Sequence, residues 1–94
     1  MKTVDNYLDS IKKKYDIKSD YALAKFLGIS KQRVTTYRQG RSSFNTEFCI
    51  IVAKFLGLEP LEVISAMHAT REKDSLARSF WKQTYYQLTG AQST

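Results

Sequence analysis

Ninety-four residues with 43% hydrophobic content leave room for one modest core, so neither several domains nor disorder over most of the chain is expected. Fifteen Lys and Arg against nine Asp and Glu give a net charge of +6, which favours a polyanionic partner. The lone Cys49 excludes an internal disulfide and a cysteine-based metal site, and no apolar run approaches the roughly 20 residues of a membrane span.

Thr3 can cap a first helix from about Val4 to Tyr15, with Val4, Leu8, Ile11 and Tyr15 as its apolar stripe. Lys12-Lys13-Lys14 closes that helix, where cations complement the negative dipole end. Asp16-Ile17-Lys18 then leads into the most informative stretch, Asp20 to Gln39. Ser19 is a natural N-cap, Asp20 suits the positive end of a helix, and Tyr21, Leu23, Ala24, Phe26 and Leu27 supply apolar contacts at helical spacing. Gly28 ends that run, Ile29 plugs the turn, and Ser30 caps a second short helix over 31–39. Val34 and Tyr37 look inward from it, with core packing expected of Tyr37. Lys31, Gln32, Arg33, Thr35 and Thr36 remain outside.

Gln39-Gly40-Arg41-Ser42-Ser43 is polar and glycine-containing, so it reads as a loop. Asn45 or Thr46 caps a fourth helix whose core stripe is Phe48, Ile51, Val52, Phe55 and Leu56, and Gly57 stops it. Pro60 opens a fifth helix with Leu61, Val63, Ile64 and Met67 inward. The stretch 70–75 that follows is polar but lacks Gly and Pro. Either the helix bridges it as one long rod or, as preferred, it breaks and Asp74 caps a sixth helix carrying Phe80, Trp81, Thr84, Tyr85 and Leu88. The fold class is all-α, a bundle of five to six helices, organised as residues 1–69 followed by a helical tail over 70–94.

The stretch Leu23-Ala24-x-x-Leu27-Gly28-Ile29-Ser30-x-x-x-Val34, followed by Gln39-Gly40-Arg41, has a steric logic. Two helices crossing steeply through a short turn need a small residue at the close approach, a flexible residue at the turn and a branched wedge beyond it. Ala24, Gly28 and Val34 meet those needs. This stretch resembles the helix-turn-helix of phage Cro and repressor proteins, the lambda-repressor-like superfamily. The resemblance implies a DNA-binding module whose second short helix enters the major groove of double-stranded DNA.

Within that resemblance, bases are read by Lys31, Gln32 and Thr36. Their chemistry agrees, since Lys can approach guanine acceptors, Gln can pair with adenine, and Thr35 or Thr36 can bond a base edge or touch a thymine methyl. Arg33 is open to either base or phosphate. The loop residues Gln39, Arg41, Ser42 and Ser43 are expected along the phosphate backbone, with Arg41 foremost. Ser19, Ser30 and Lys14 complete the expected phosphate set, the end of the first helix lying near DNA in the resembling proteins. The lysines there read equally as a solvated helix terminus. Arg38 is expected along the backbone edge. Asp20 stands where the resembling proteins often carry a phosphate-clamping Gln, and an acid there would repel phosphate.

Ala66-Met67-x-Ala69-x-x-Glu72-Lys73 followed by Phe80-Trp81-Lys82 resembles the tail of small regulators of filamentous-phage type. With the core taken as complete by about Met67, the aromatic stripe is left seeking a surface. Phe80, Trp81, Tyr85 and Leu88 are therefore expected to form a homodimer interface, the alternative being that they pack back on the first and fifth helices as extra core. The rival is a protein-interaction module, such as an antitoxin, antirepressor or replication accessory, that uses the same stripe on another protein. Cys49 reads as a small buried thiol and His68 as a surface or half-buried helix histidine. No catalytic constellation, metal site, cofactor or small-molecule ligand is evident, and an enzyme is not expected. Lacking the apolar core of a secretory signal, the chain is expected in the cytoplasm. The sequence reading is thus a phage-type repressor acting as a dimer on a palindromic operator.

Overall fold

A computed structural model describes residues 1–90, in which six helices and no strands are found. They are α1 (Val4–Lys14), α2 (Asp20–Leu27), α3 (Lys31–Arg38), α4 (Thr46–Leu56), α5 (Pro60–Arg71) and α6 (Ser75–Thr89). The all-α bundle expected from the sequence is what forms. Each start is set locally. Thr3 and Asn6 form a reciprocal capping box on α1, and Ser19, Ser30, Asn45 and Asp74 each accept an amide hydrogen bond at the start of α2, α3, α4 and α6. Pro60 opens α5 at the place where its missing N–H is harmless. The break between α5 and α6 is present, at residues 72–74.

The first five helices wrap a core of Leu8, Ile11, Leu23, Val34, Val52, Val63 and Met67, all essentially inaccessible. The α2–α3 pair packs on itself, α1 lies against α3 and α4, and α5 runs between α4 and α6. Two aromatic residues outside the expected stripes join this core. Tyr7 of α1 is fully buried, and so is Phe44, from the otherwise polar segment between α3 and α4. Phe44 sits 6.3 Å from Tyr7, 5.1 Å from Tyr37 and 5.0 Å from Phe48, ring centre to ring centre.

Three expectations about facing are corrected. Tyr21 of α2 lies largely outside, with Lys25 over its ring, whereas Phe26 keeps its apolar contacts only at the rim, tilted against Tyr15 and Phe55. On α5, Leu61 is exposed, whereas Glu62 and Ser65 are buried, because this helix is covered on two sides by α4 and α6. Glu62 accepts a hydrogen bond from the Tyr7 hydroxyl at 3.3 Å. Burial, reinforced by that carboxylate, holds the Tyr7 hydroxyl well above its ordinary pKa.

The third correction concerns the tail. The core is not complete at Met67, because Tyr85 of α6 enters it with only 4% of its surface exposed. Its hydroxyl accepts the Lys2 backbone N–H at 3.1 Å, closing α6 onto the start of the chain. Tyr85, expected at a dimer interface, is used inside its own protomer.

Candidate nucleic-acid interface

The turn between α2 and α3 requires a left-handed residue, and Gly28 supplies it at φ +73°. With Gly28 in that conformation, the Ile29 N–H reaches the Ala24 carbonyl at 3.0 Å and the chain reverses at once into α3. The same device ends α3, where Gly40 at φ +71° lets the Arg41 N–H reach the Thr36 carbonyl at 3.1 Å. The two glycines therefore set both where α3 begins and where the following loop leaves it.

Along α3, Val34 and Tyr37 face the core as expected, and Lys31 and Gln32 are exposed at its first turn. Among the described residues no hydrogen bond engages the Gln32 amide. The Thr35 and Thr36 hydroxyls donate back to the carbonyls of Lys31 and Gln32 at 3.1 and 3.0 Å, and the Lys31 ammonium donates to Thr35 Oγ1 at 3.1 Å. These bonds hold the Lys31 and Thr side chains close to the helix in the free protein. Arg33 is placed apart from them. Its Nε donates to the Tyr37 hydroxyl at 3.0 Å, and its guanidinium lies over the rings of Phe48 and Tyr37 at 5.1 and 5.7 Å.

Arg38 corrects a further expectation. Instead of lying along the edge toward DNA, it turns back into the domain and meets three carboxylates. It pairs with Asp20 through two 3.1 Å bonds, with Asp5 at 2.9 Å and with Asp9 at 2.8 Å. Lys12 adds a further contact to Asp20 at 3.1 Å. The Asp20 carboxyl is held below the usual carboxylate range, chiefly by its hydrogen bond from Arg38. The acid expected to repel phosphate is thus neutralised by two cations and serves to tie α3 to α1 and α2. Sequence spacing could not show this, since the partners are 18 to 33 residues apart.

The expected phosphate set divides in the structure. Gln39, Arg41 and Ser42 are exposed and Ser43 half-buried in the loop after α3, with Arg41 Nη1 donating to Gln39 Oε1 at 3.2 Å. Ser19 and Ser30 each accept a backbone N–H as caps, at 3.0 Å, which leaves the hydroxyl proton of each available to an oxyanion. Lys14 lies elsewhere: it donates to the Phe55 carbonyl at 2.8 Å, beside the Tyr15 hydroxyl at 2.7 Å, capping the end of α4.

On α6, Leu76 is 80% and Phe80 58% exposed, and Leu88 is partly so. Trp81 stacks on the His68 ring at 4.4 Å and 14°, which gives that histidine an aromatic partner. Cys49 is buried, and burial pushes its thiol up to about 11, so it is inert at neutral pH. No helix among the described residues is long and apolar enough to cross a membrane.

The family model described as the bacteriophage CI repressor helix-turn-helix domain matches residues 6–66, from within α1 into α5. No curated protein and no solved structure matches the chain.

Proposed function

The chain belongs to the bacteriophage CI repressor helix-turn-helix family, and from that premise we propose that it is a sequence-specific transcriptional regulator, a phage-type repressor. Its α3 enters the major groove, where Gln32, Lys31 and Thr36 read base edges, with Thr35 and Arg33 beside them. The observation that carries this reading is the exposed Lys31–Gln32 start of a helix whose far end is fixed by Arg38. Arg41, with Gln39, Ser42 and Ser43, holds phosphates next to it, assisted by the hydroxyls of Ser19 and Ser30. Occupancy of the site occludes a promoter.

The operator is an inverted repeat bound by a homodimer, with half-sites about one helical turn apart. Support for a dimer comes from the exposed Leu76 and Phe80, an apolar pair on one helix. Selection from random duplex pools, followed by a salt titration on the enriched site, tests the whole reading. An enriched inverted repeat is the expected result. Steep salt-dependent binding with no enriched sequence would leave charge alone as the driver.

Two substitutions separate the roles. Gln32→Ala is expected to cost about 1–3 kcal/mol on the selected site and to relax preference at one base pair. An equal loss on random duplex would remove Gln32 from base reading. Arg41→Ala is expected to weaken binding to all sequences alike and to lower the salt slope by about one. An unchanged slope would take Arg41 off the phosphate.

The same exposed Leu76–Phe80 pair also favours the second reading, a surface for a different protein. Sedimentation of wild type and Phe80→Asp distinguishes them: a dimer that becomes monomeric supports the operator reading, whereas a monomeric wild type supports the interaction module.

A further inference from the structure

At the end of α3 lies a cavity of about 440 Å³ that shares Arg41, Ser42 and Ser43 with the phosphate-holding loop but none of the base-reading side chains. Neither Lys31, Gln32, Thr35 nor Thr36 lines it; its α3 contribution is Tyr37 and Arg38, the inward side of the helix. The rest of the wall comes from three separate places, namely the start of α1, the loop after α3 and the end of α5. Its size falls in the range of small-molecule sites.

The chemistry of the lining is that of an anion site. Arg41 and Arg71 reach it from opposite elements, and neither forms an ion pair among the described residues. The hydroxyls of Thr3 and Ser42 line it as well, whereas the Thr70 hydroxyl is spent on the Ala66 carbonyl at 2.9 Å, and the Tyr37 ring offers an apolar contact. Asp5 also borders the cavity, but it pairs with Arg38 at 2.9 Å, which it shares with Asp9 and Asp20, so the positive charge of the lining rests on the guanidiniums of Arg41 and Arg71. Two guanidiniums with hydroxyls in the same lining suit a phosphate group, and the remaining volume suits the moiety that the phosphate is attached to.

We propose that this cavity binds a small phosphorylated molecule, clasped by Arg41 and Arg71, as a regulator of DNA binding. The inference rests on the DNA-binding reading only for its consequence, not for the site itself. A ligand that engages Arg41 withdraws that side chain from the DNA backbone, so ligand and DNA oppose one another. By reciprocity, DNA weakens the ligand by the same factor.

The test uses the full chain with 5′-AMP, ribose 5-phosphate and inorganic phosphate as probes, and adenosine with matched chloride as controls. Titration calorimetry and thermal shift are expected to show saturable one-to-one binding of at least one phosphorylated probe and none of adenosine. Arg71→Gln, at an exposed position where folding is not at risk, is expected to weaken that binding about tenfold or more. Its fold is checked by circular dichroism. Absence of saturable binding at millimolar probe overturns the site, as does undiminished binding in Arg71→Gln. A third result also overturns it: no probe bound, with Arg71→Gln lowering the salt slope on DNA by about one, which assigns Arg71 to the DNA backbone. If the selected duplex fails to emerge while probe binding stands, the operator reading falls and the anion site survives.

Discussion

Phe44→Ala is expected to lower the stability of the domain by about 3–5 kcal/mol, the usual cost of deleting a buried aromatic ring. The ring is wholly inaccessible and touches Tyr7, Tyr37 and Phe48, so its loss leaves a hole where α1, α3 and α4 meet. Set against the ~5–15 kcal/mol available to a domain of this kind, that is enough to unfold much of the population. Phe44→Leu, which keeps most of the volume, should lose less than half as much. Urea unfolding followed by tryptophan fluorescence gives the comparison, with the midpoint falling and the slope unchanged. An Ala variant with the wild-type midpoint would show that the segment between α3 and α4 does not contribute to the core.

Arg38→Met should be the next most damaging change, at about 2–3 kcal/mol. The methionine keeps the packing of the stem but leaves Asp20 held by Lys12 alone and Asp5 and Asp9 with no cation. The three aspartates are not equal. Asp5 and Asp9 are 54% and 62% exposed, so Asp5→Asn and Asp9→Asn should each cost less than about 1 kcal/mol, while Asp20→Asn should account for most of the Arg38 effect. The pH dependence comes from the sign of the Asp20 shift. Its folded pKa is depressed, so its contribution is fully present above roughly pH 4 and disappears as pH falls through the lower, folded value. Melting temperature measured from neutral pH downward should therefore drop less steeply in Arg38→Met than in wild type. Parallel curves would mean that Arg38 and Asp20 are not coupled in solution.

Local signals are readable along the whole chain. The capping residues Thr3, Ser19, Ser30, Asn45 and Asp74, together with Pro60, mark the helix starts from within a few residues, and the structure places each at its expected end. The Ala24–Gly28–Val34 spacing likewise conveys the reversal between α2 and α3. Periodicity cannot convey anything decided by distant partners. Phe44 lies in a polar segment with no repeating pattern, so nothing nearby marks it as core. Glu62 looks like a surface acid until Tyr7, 55 residues earlier, is brought to it. Arg38 reads as one more cation on a basic helix, and only the packing of α1 and α2 beside α3 shows its three acidic partners. Lys14 reads by analogy as a phosphate contact, yet the oxygen that the fold offers it is the Phe55 carbonyl.

The docking of Tyr85 into the same cluster as Tyr7 has a consequence for how the protein is made. Chains are synthesised from the N-terminus at about 5–20 residues per second, and domains fold as units. Here the surfaces of α1 and α5 that Tyr85 covers stay open until α6 has left the ribosome. A nascent or prematurely terminated chain thus exposes apolar surface of the sort that chaperones and proteases recognise. A chain ended before its sixth helix is therefore expected to be cut faster than the full chain in limited proteolysis.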